Sequence, residues 1–290
     1  MKTHESQPYT NLISTSQLAQ LMGDENLVIV DCRFDLLNPD WGFEDYQLAH
    51  IPGAFYTHLN NDLAGPITPY AGRHPLPDQD EFVRKLNSWG INQKSQLVAY
   101  DISGGAFAAR LWWMLKYYGH EQVAIMDGGL SKWIRDGYPI STGVELPKES
   151  NAPFKPKIDP TRVVSTSDIE RFRLNSSFLL IDARAPQRFR GKFEPIDPVA
   201  GHIPGAINRF HADNLSPDGT MKPAEILKSE FEALLQNIPP DKAIVYCGSG
   251  VTSCHHLLAM ELAGLKGARL YAGSWSEWIR DPAHPIATVE

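Results

Sequence analysis

The stretch AIVYCGSGVTSCHHLLAMELAG (residues 243–264) predicts a buried strand, a tight glycine loop and a helix, in that order. AIVY is short and apolar, as a strand inside a sheet is, and TSCHHLLAMELAG has helical length and ends at a glycine. Strands that alternate with helices indicate a parallel sheet, so this stretch predicts an α/β fold. Cys247 follows the strand directly, at the edge where such sheets bind their ligands.

A duplication extends this pattern over the whole chain. Four segments of the first half match four of the second in the same order: LVIVDCR (27–33) and LLIDAR (179–184), AHIPGAF (49–55) and GHIPGAI (201–207), QLVAYD (96–101) and AIVYC (243–247), MDGGLSKWIRDGYPI (126–140) and YAGSWSEWIRDPAHPI (271–286). A repeat this long is a whole domain. We therefore expect two α/β domains, residues 1–143 and 161–290, each with a parallel sheet flanked by helices on both faces. A proline-rich linker over 144–160 would join them.

Length and composition agree with a protein that has two hydrophobic cores. The 290 residues exceed what one core commonly serves, and 42% of them are hydrophobic. The formal charge of −7 and the lack of a Lys/Arg-rich run argue against a nucleic-acid partner. We find neither a signal-peptide pattern nor an apolar run of membrane-spanning length, and the three cysteines favour free thiols in a reducing compartment. These features predict a cytoplasmic protein without a membrane partner.

The loop after the strand has the composition that activates a thiol. Gly248 and Gly250 are expected to let the backbone turn with positive φ, so that several N–H groups face one point. Ser249 and Thr252 add hydroxyl donors, and the N-terminus of the following helix points to the same place. Such surroundings favour thiolate and lower the thiol pKa below its reference of roughly 8.5. The loop therefore predicts that Cys247 is a nucleophile.

A buried structural role is the alternative for Cys247, because cysteine is among the most buried residue types. The duplication argues against it. The equivalent loop of the first half, DISGGAFAAR, keeps its glycines but begins with Asp101, which cannot serve as a sulfur nucleophile. We expect one copy to be catalytic and the other to support it.

Paired HIPGA motifs, the GGLSKW and GSWSEW segments and a cysteine loop in the second half alone resemble the tandem rhodanese-like sulfurtransferases. This family comprises thiosulfate and 3-mercaptopyruvate sulfurtransferases, and the resemblance covers nearly the whole chain. It implies two rhodanese-like domains with an active site in the cleft between them. It also implies that a persulfide on Cys247 carries sulfur from a small-molecule donor to cyanide or a thiol, without a metal or organic cofactor.

The loop CGSGVT resembles the mercaptopyruvate type, because the thiosulfate type carries cationic residues after its cysteine. An uncharged loop suits a donor with one carboxylate better than the thiosulfate dianion. The resemblance implies that Arg188, in DARAPQRFRG, binds this carboxylate. It also implies a donor site lined by the loop residues Gly248, Gly250, Val251 and Thr252. Thiosulfate stays open as the alternative donor.

The chain departs from the family pattern where animal mercaptopyruvate enzymes have a second substrate arginine. Here GKFEPIDPV offers Ile196 and Asp197 instead. Arg73, in YAGRHPLP, is the candidate substitute from across the cleft. The carboxylate clamp is therefore expected to be weaker or built differently.

The family also has a proposed serine–histidine–aspartate relay for proton transfer. Its pattern implies Ser249 as the serine and His74, in GRHPLP, as the histidine, with Asp62 as the nearest carboxylate. Simple surface exposure is an equally good interpretation of His74.

Three other interpretations were weighed. Cys254, His255 and His256 do not have the spacing of a zinc site, so no metal is expected. A phosphatase loop needs an arginine six residues after its cysteine, where this chain has Ser253. A noncatalytic module that carries persulfide for a protein partner stays open.

Overall fold

The computed structural model describes residues 7–147 and 152–289, and it contains two parallel sheets of five strands. The first has β1 (Leu12–Ile13), β2 (Leu27–Asp31), β3 (Ala54–Tyr56), β4 (Gln96–Tyr100) and β5 (Val123–Met126). The second has β6 (Val163–Val164), β7 (Leu179–Asp182), β8 (Ala206–Asn208), β9 (Ala243–Tyr246) and β10 (Arg269–Tyr271). The strand orders, β1-β5-β4-β2-β3 and β6-β10-β9-β7-β8, are the same. The predicted duplication of a parallel α/β sheet is confirmed.

Helices connect the strands of both sheets. The first half contains α1 (Thr15–Leu21), α2 (Trp41–Leu48), α3 (Leu59–Asp62), α4 (Gln79–Ser88), α5 (Ala108–Tyr117) and α6 (Gly129–Arg135). The second half contains α7 (Thr166–Phe172), α8 (Pro186–Phe189), α9 (Ala224–Leu235), α10 (Ser253–Leu262) and α11 (Ser274–Trp278). Short 3₁₀ turns lie at Pro160–Arg162, His211–Asn214 and Pro240–Lys242. In the described parts of the chain, none of these helices has the length and apolarity that a membrane crossing requires.

Helices cover both faces of each sheet, as the alternation of strand side chains shows. Leu97 of β4 packs into an inner core with α5, whereas its neighbour Val98 faces an outer core with α1 and α6. Val245 of β9 lies in the same inner core, and Ile244 faces a separate outer core of the second half. Both sheets therefore share one inner core, and each has an outer core of its own.

The inner core is centred on α5 and α10, which lie against each other between the sheets. Trp112 and Trp113 of α5 are fully buried there. The helix α10 ends as its sequence predicts, because Gly264 (φ 76°) follows it in the left-handed conformation, and Gly119 (φ 84°) ends α5 in the same way. The two strand–loop–helix units are thus packed back to back.

The predicted linker lies partly on residues 148–151, which are outside the described residues. From residue 152 onward the chain packs against the protein, because Phe154 is only 3% exposed and lies in the inner core. Its N–H also donates to Asn87 Oδ1 (2.6 Å). The domain limits, 1–143 and 161–290, stay a prediction.

Candidate active site

Cys247 lies between the end of β9 and the start of α10, as predicted, and is 2% exposed. Its N–H donates to Ser274 Oγ (3.1 Å), and the Ser253 hydroxyl donates to its Sγ (3.5 Å). Its carbonyl accepts from the N–H of Trp275 (3.0 Å), so α11 fixes the loop from one side and α10 from the other. The sulfur is held in one place before any donor arrives.

The surroundings of Cys247 favour its thiolate. Burial raises the pKa of the thiol, but hydrogen bonds to the sulfur outweigh burial and lower the pKa below its ordinary value. These bonds come from the hydroxyls of Thr252 and Ser253 and from the N–H groups of Ser249 and Ser253. Of the two predicted hydroxyl donors, Thr252 bonds the sulfur, whereas the Ser249 hydroxyl bonds His74 and the second hydroxyl at the sulfur is that of Ser253. The side chain of Val251 packs into the inner core, so only its main chain is left to face a donor.

The other two cysteines lack this activation. Burial raises the pKa of Cys254 to about 12 and raises that of Cys32 as well. The histidines after Cys254 make structural contacts, since Asn214 Nδ2 bonds the Nδ1 atoms of His255 (3.1 Å) and His256 (2.8 Å). Cys247 is therefore the one cysteine of the three whose surroundings favour nucleophilic attack.

The two loop glycines are needed for different reasons. Gly250 has the predicted positive φ (77°), and a Cβ there would lie 2.3 Å from the carbonyl oxygen of Ala272. Gly248 does not have a positive φ, so that prediction is wrong. A Cβ at Gly248 would instead lie 2.7 Å from Arg73 Nη2 and 3.4 Å from Arg188 Nη2. Because position 248, directly after Cys247, is a glycine, two guanidinium groups have room beside it.

The duplicate loop of the first domain shows what this backbone binds. Asp101 Oδ1 accepts from the N–H groups of Ser103 and Gly105 (both 2.8 Å), and Oδ2 accepts from those of Phe107 (2.9 Å) and Ala108 (3.0 Å). The N–H groups two and six positions after Cys247 bond its sulfur in the same way. The first loop holds its own carboxylate, and the second offers N–H donors at two of the same four positions to the Cys247 thiolate.

His74 bridges the catalytic loop and α3. Its Nδ1 lies 2.7 Å from Ser249 Oγ, and its Nε2 lies 2.9 Å from Asn60 Oδ1. Because the amide oxygen accepts, Nε2 carries the hydrogen and Nδ1 accepts from the Ser249 hydroxyl. Burial, with the nearby charges of Arg73 and Arg110, lowers the pKa of His74 to about 3. The imidazole is therefore neutral at physiological pH.

Asp62 does not take the place in the relay that was expected of it. Its Oδ2 accepts from the N–H of His58 (2.6 Å), and its Oδ1 pairs with Lys85. Asn60 makes the contact to His74 instead. Side chains two positions apart on a helical turn point to nearly opposite sides, so Asn60 and Asp62 cannot both face His74. The relay pattern points to a carboxylate and therefore to Asp62, so the sequence indicates Asn60 only by its position two residues earlier.

Arg110 of α5 is a second residue at this site that sequence reasoning missed. Its guanidinium is 0% exposed and donates to the carbonyls of Leu63 (3.2 Å), His74 (3.1 Å) and Gly250 (2.9 Å). Within the described ranges, no carboxylate pairs with it. Arg110 thus ties the catalytic loop to the segment that carries His74. The available signal was a lone charge near the start of the apolar helix AFAARLWWMLKYY.

Arg73 and Arg188 come together from the two domains, as the substitution hypothesis for Arg73 requires. Arg73 Nε and Nη2 donate to the two oxygens of Asp197 (2.8 and 3.2 Å), and Arg188 Nη2 donates to Oδ2 (3.0 Å). Arg188 also binds Glu194 through Nε (2.8 Å). Both guanidinium groups border Gly248, so a cationic site lies beside the nucleophile.

Three sequence matches and one structural match relate this chain to known proteins. A model of the Rhodanese-like domain matches residues 14–136 and again residues 168–281. A probable 3-mercaptopyruvate sulfurtransferase of Pseudomonas aeruginosa is 46% identical, with 96% of this chain and 98% of that protein covered. A putative thiosulfate sulfurtransferase, SseB, of Mycobacterium tuberculosis is 36% identical, with 95% and 96% covered. The structure of SseA from Escherichia coli, described among the 3-mercaptopyruvate sulfotransferases, matches with a TM-score of 0.79 at 31% identity and covers 92% of this chain and 100% of that one.

Proposed function

The chain belongs to the tandem rhodanese-like sulfurtransferase family, and we propose that it moves sulfur from 3-mercaptopyruvate to cyanide or a thiol through a persulfide on Cys247. One observation carries the proposal. Cys247 lies in a loop whose donors lower its thiol pKa, while the duplicate loop fills the same cradle with the carboxylate of Asp101. The proposal includes small-molecule substrates and a cytoplasmic setting, where acceptor thiols stay reduced.

The reaction has two steps. The Cys247 thiolate attacks the sulfur of 3-mercaptopyruvate, and the bond between that sulfur and its methylene carbon breaks. The electron pair leaves with the carbon as pyruvate enolate, and the donor's thiol proton ends on this carbon to give pyruvate. The persulfide anion that remains on Cys247 is then attacked at its outer sulfur by cyanide or a thiolate, and this attack restores the Cys247 thiolate.

The remaining site residues have supporting roles in this proposal. The loop N–H groups and the Thr252 hydroxyl stabilise the sulfur anion in both of its forms. Arg188 and Arg73 provide the charge that binds the donor's carboxylate. His74, neutral and bonded to Asn60, orients the Ser249 hydroxyl. With a pKa of about 3 it stays neutral at neutral pH and keeps its single proton on Nε2, in the bond to Asn60, so the relay serves orientation.

Thiocyanate formation from 3-mercaptopyruvate and cyanide tests the proposed function. We expect Cys247→Ser to lower kcat/KM at least about a thousandfold, because no other group can form the persulfide. Cys254→Ser, which replaces the neighbouring buried thiol, is the matched control and should retain turnover. Mass spectrometry after donor treatment should find one added sulfur, on Cys247. Sulfur transfer that persists in Cys247→Ser would refute the mechanism.

Thiosulfate is the second candidate donor, because two guanidinium groups border Gly248 and a dianion can use both. The uncharged CGSGVT loop favours mercaptopyruvate. We expect kcat/KM to be higher for 3-mercaptopyruvate than for thiosulfate, and a clear preference for thiosulfate would reverse the assignment. A persulfide that forms once without turnover would favour the carrier function instead.

A further inference from the structure

The cationic site beside the nucleophile already holds a carboxylate, that of Asp197. Its side chain is 1% exposed and receives a two-point fork from Arg73 (2.8 and 3.2 Å) and a third bond from Arg188 (3.0 Å). A fork of two parallel N–H bonds is the geometry with which arginine binds a substrate carboxylate. Asp197 therefore makes the contacts that a carboxylate donor needs.

The charges of this site are balanced without a donor. Arg188 is shared between Asp197 and Glu194, and Asp197 is the one carboxylate among the described residues that pairs with Arg73. Burial raises the pKa of Glu194, but its bonds to Arg188 and to the N–H groups of Asp197 and Ile196 outweigh burial and lower it. Glu194 thus stays ionised beside Arg188. An incoming anion meets two arginines whose charge is already compensated.

The segment that carries Asp197 can move without breaking a helix or strand. Residues 191–200 form bends and turns, and prolines stand on either side of Ile196–Asp197. The ends of the segment are held from outside, because the N–H groups of Lys192 (3.0 Å) and Phe193 (3.3 Å) donate to the Gln187 carbonyl and Trp275 Nε1 donates to the Val199 carbonyl (2.9 Å). Between these ends, the N–H groups of Ile196 (3.0 Å) and Asp197 (3.1 Å) donate to Glu194 Oε1, which lies in the same segment. The remaining anchor of Asp197 is the arginine pair itself, so the arginines can exchange one carboxylate for another.

We propose that Asp197 is an internal competitor for the donor's carboxylate: it occupies the Arg73–Arg188 site in the free enzyme, and a carboxylate donor binds by displacing it. This inference rests on the proposed function and deepens it. It identifies the donor class as planar carboxylates that can reproduce the two-point fork to Arg73. It also makes Asp197 a determinant of donor affinity. The family pattern has its second arginine one residue earlier, where this chain has Ile196.

Removing the charge of Asp197 should therefore strengthen carboxylate binding. Asp197→Asn keeps the size of the side chain, removes the charge that pairs with Arg73 and leaves Arg188 paired with Glu194 alone. Pyruvate is the probe, because it carries the donor's carboxylate and cannot transfer sulfur. Calorimetric titration in the Cys247→Ser background measures its binding without turnover. We expect Asp197→Asn to lower the pyruvate Kd about tenfold, since a competitor that occupies a site reduces apparent affinity by the fraction of protein it blocks.

Two further variants make the result specific. Asp24→Asn removes the same charge from an exposed aspartate before β2, so its Kd should equal that of the Cys247→Ser parent. Arg73→Met added to Asp197→Asn should abolish the gain, because the freed fork is lost. Melting temperatures compare the folding of all variants.

An unchanged or weaker pyruvate affinity in Asp197→Asn overturns the inference, as does an absence of measurable binding in every variant. Neither result bears on whether the wild-type protein transfers sulfur. Conversely, a wild-type protein that does not use 3-mercaptopyruvate refutes the proposed function, even if pyruvate binds more tightly to Asp197→Asn.

Discussion

Ser274 and Gly129 occupy equivalent places in the two domains and have nearly the same left-handed backbone, with φ of 55° and 58°. Glycine adopts this conformation freely, whereas serine adopts it at a cost of about 1 kcal/mol or more. In the second domain, two hydrogen bonds offset this strain. The Ser274 hydroxyl accepts from the N–H of Cys247 (3.1 Å) and donates to the Tyr271 carbonyl (2.9 Å). The strain is thus located where the nucleophile is positioned.

Replacing Ser274 separates these two effects. Ser274→Ala and Ser274→Gly both remove the bond to Cys247 N–H and should both lower kcat/KM. Only glycine relieves the left-handed strain, so we expect Ser274→Gly to be about 1 kcal/mol more stable than Ser274→Ala. Urea denaturation measures this difference in the free energy of unfolding. Equal stabilities would show that the backbone relaxes at this position and that no strain is stored.

Single residues also mark the limits of sequence reasoning at this site. Cys247 and Gly250 were predictable because their roles follow from local order, a strand, a turn and a helix. Gly248, Asn60 and Arg110 were not, because each acts through a contact with a residue more than ten positions away. Local sequence determines which backbone forms, but it does not specify which side chain from the other domain approaches it.

At the scale of elements, α5 contributes to the catalytic loop although it belongs to the first domain. Its Arg110 reaches the Gly250 carbonyl (2.9 Å) and the His74 carbonyl (3.1 Å). Burial lowers the pKa of Arg110, and the neighbouring thiols of Cys254 and Cys247 act in the opposite direction when they are ionised. The attraction is mutual, so the guanidinium charge should stabilise the Cys247 thiolate.

Substitution of Arg110 tests this coupling. Arg110→Lys keeps the charge but cannot reach all three carbonyls, whereas Arg110→Met loses both charge and donors. We expect Arg110→Met to raise the thiol pKa of Cys247 by about one unit relative to Arg110→Lys, because a nearby cation favours thiolate. The pH dependence of alkylation in a Cys32→Ser, Cys254→Ser background reports this pKa. Identical midpoints in the two variants would assign Arg110 a purely structural role.

At the scale of the whole molecule, the repeat predicts two similar sheets but not how they share a core. The apolar pattern of α5 and α10 marks both helices as buried, yet it does not state that they bury against each other. The structure joins Val245 of the second sheet and Leu97 of the first in one inner core. A substitution that destabilises the loop of the first domain should therefore also destabilise the second domain.

Asp101→Asn is the variant that tests this whole-molecule coupling. An amide has one oxygen acceptor, so at least two of the four N–H groups around Asp101 lose their partner. Each buried unsatisfied group costs about 1–3 kcal/mol, so we expect a lower melting temperature with sulfur transfer retained below the transition. Because α5 and α10 share a core, unfolding of the variant should remain a single transition that coincides with the loss of activity. Two calorimetric transitions, with activity surviving the first, would mean that the domains unfold independently and that the shared core does not couple them.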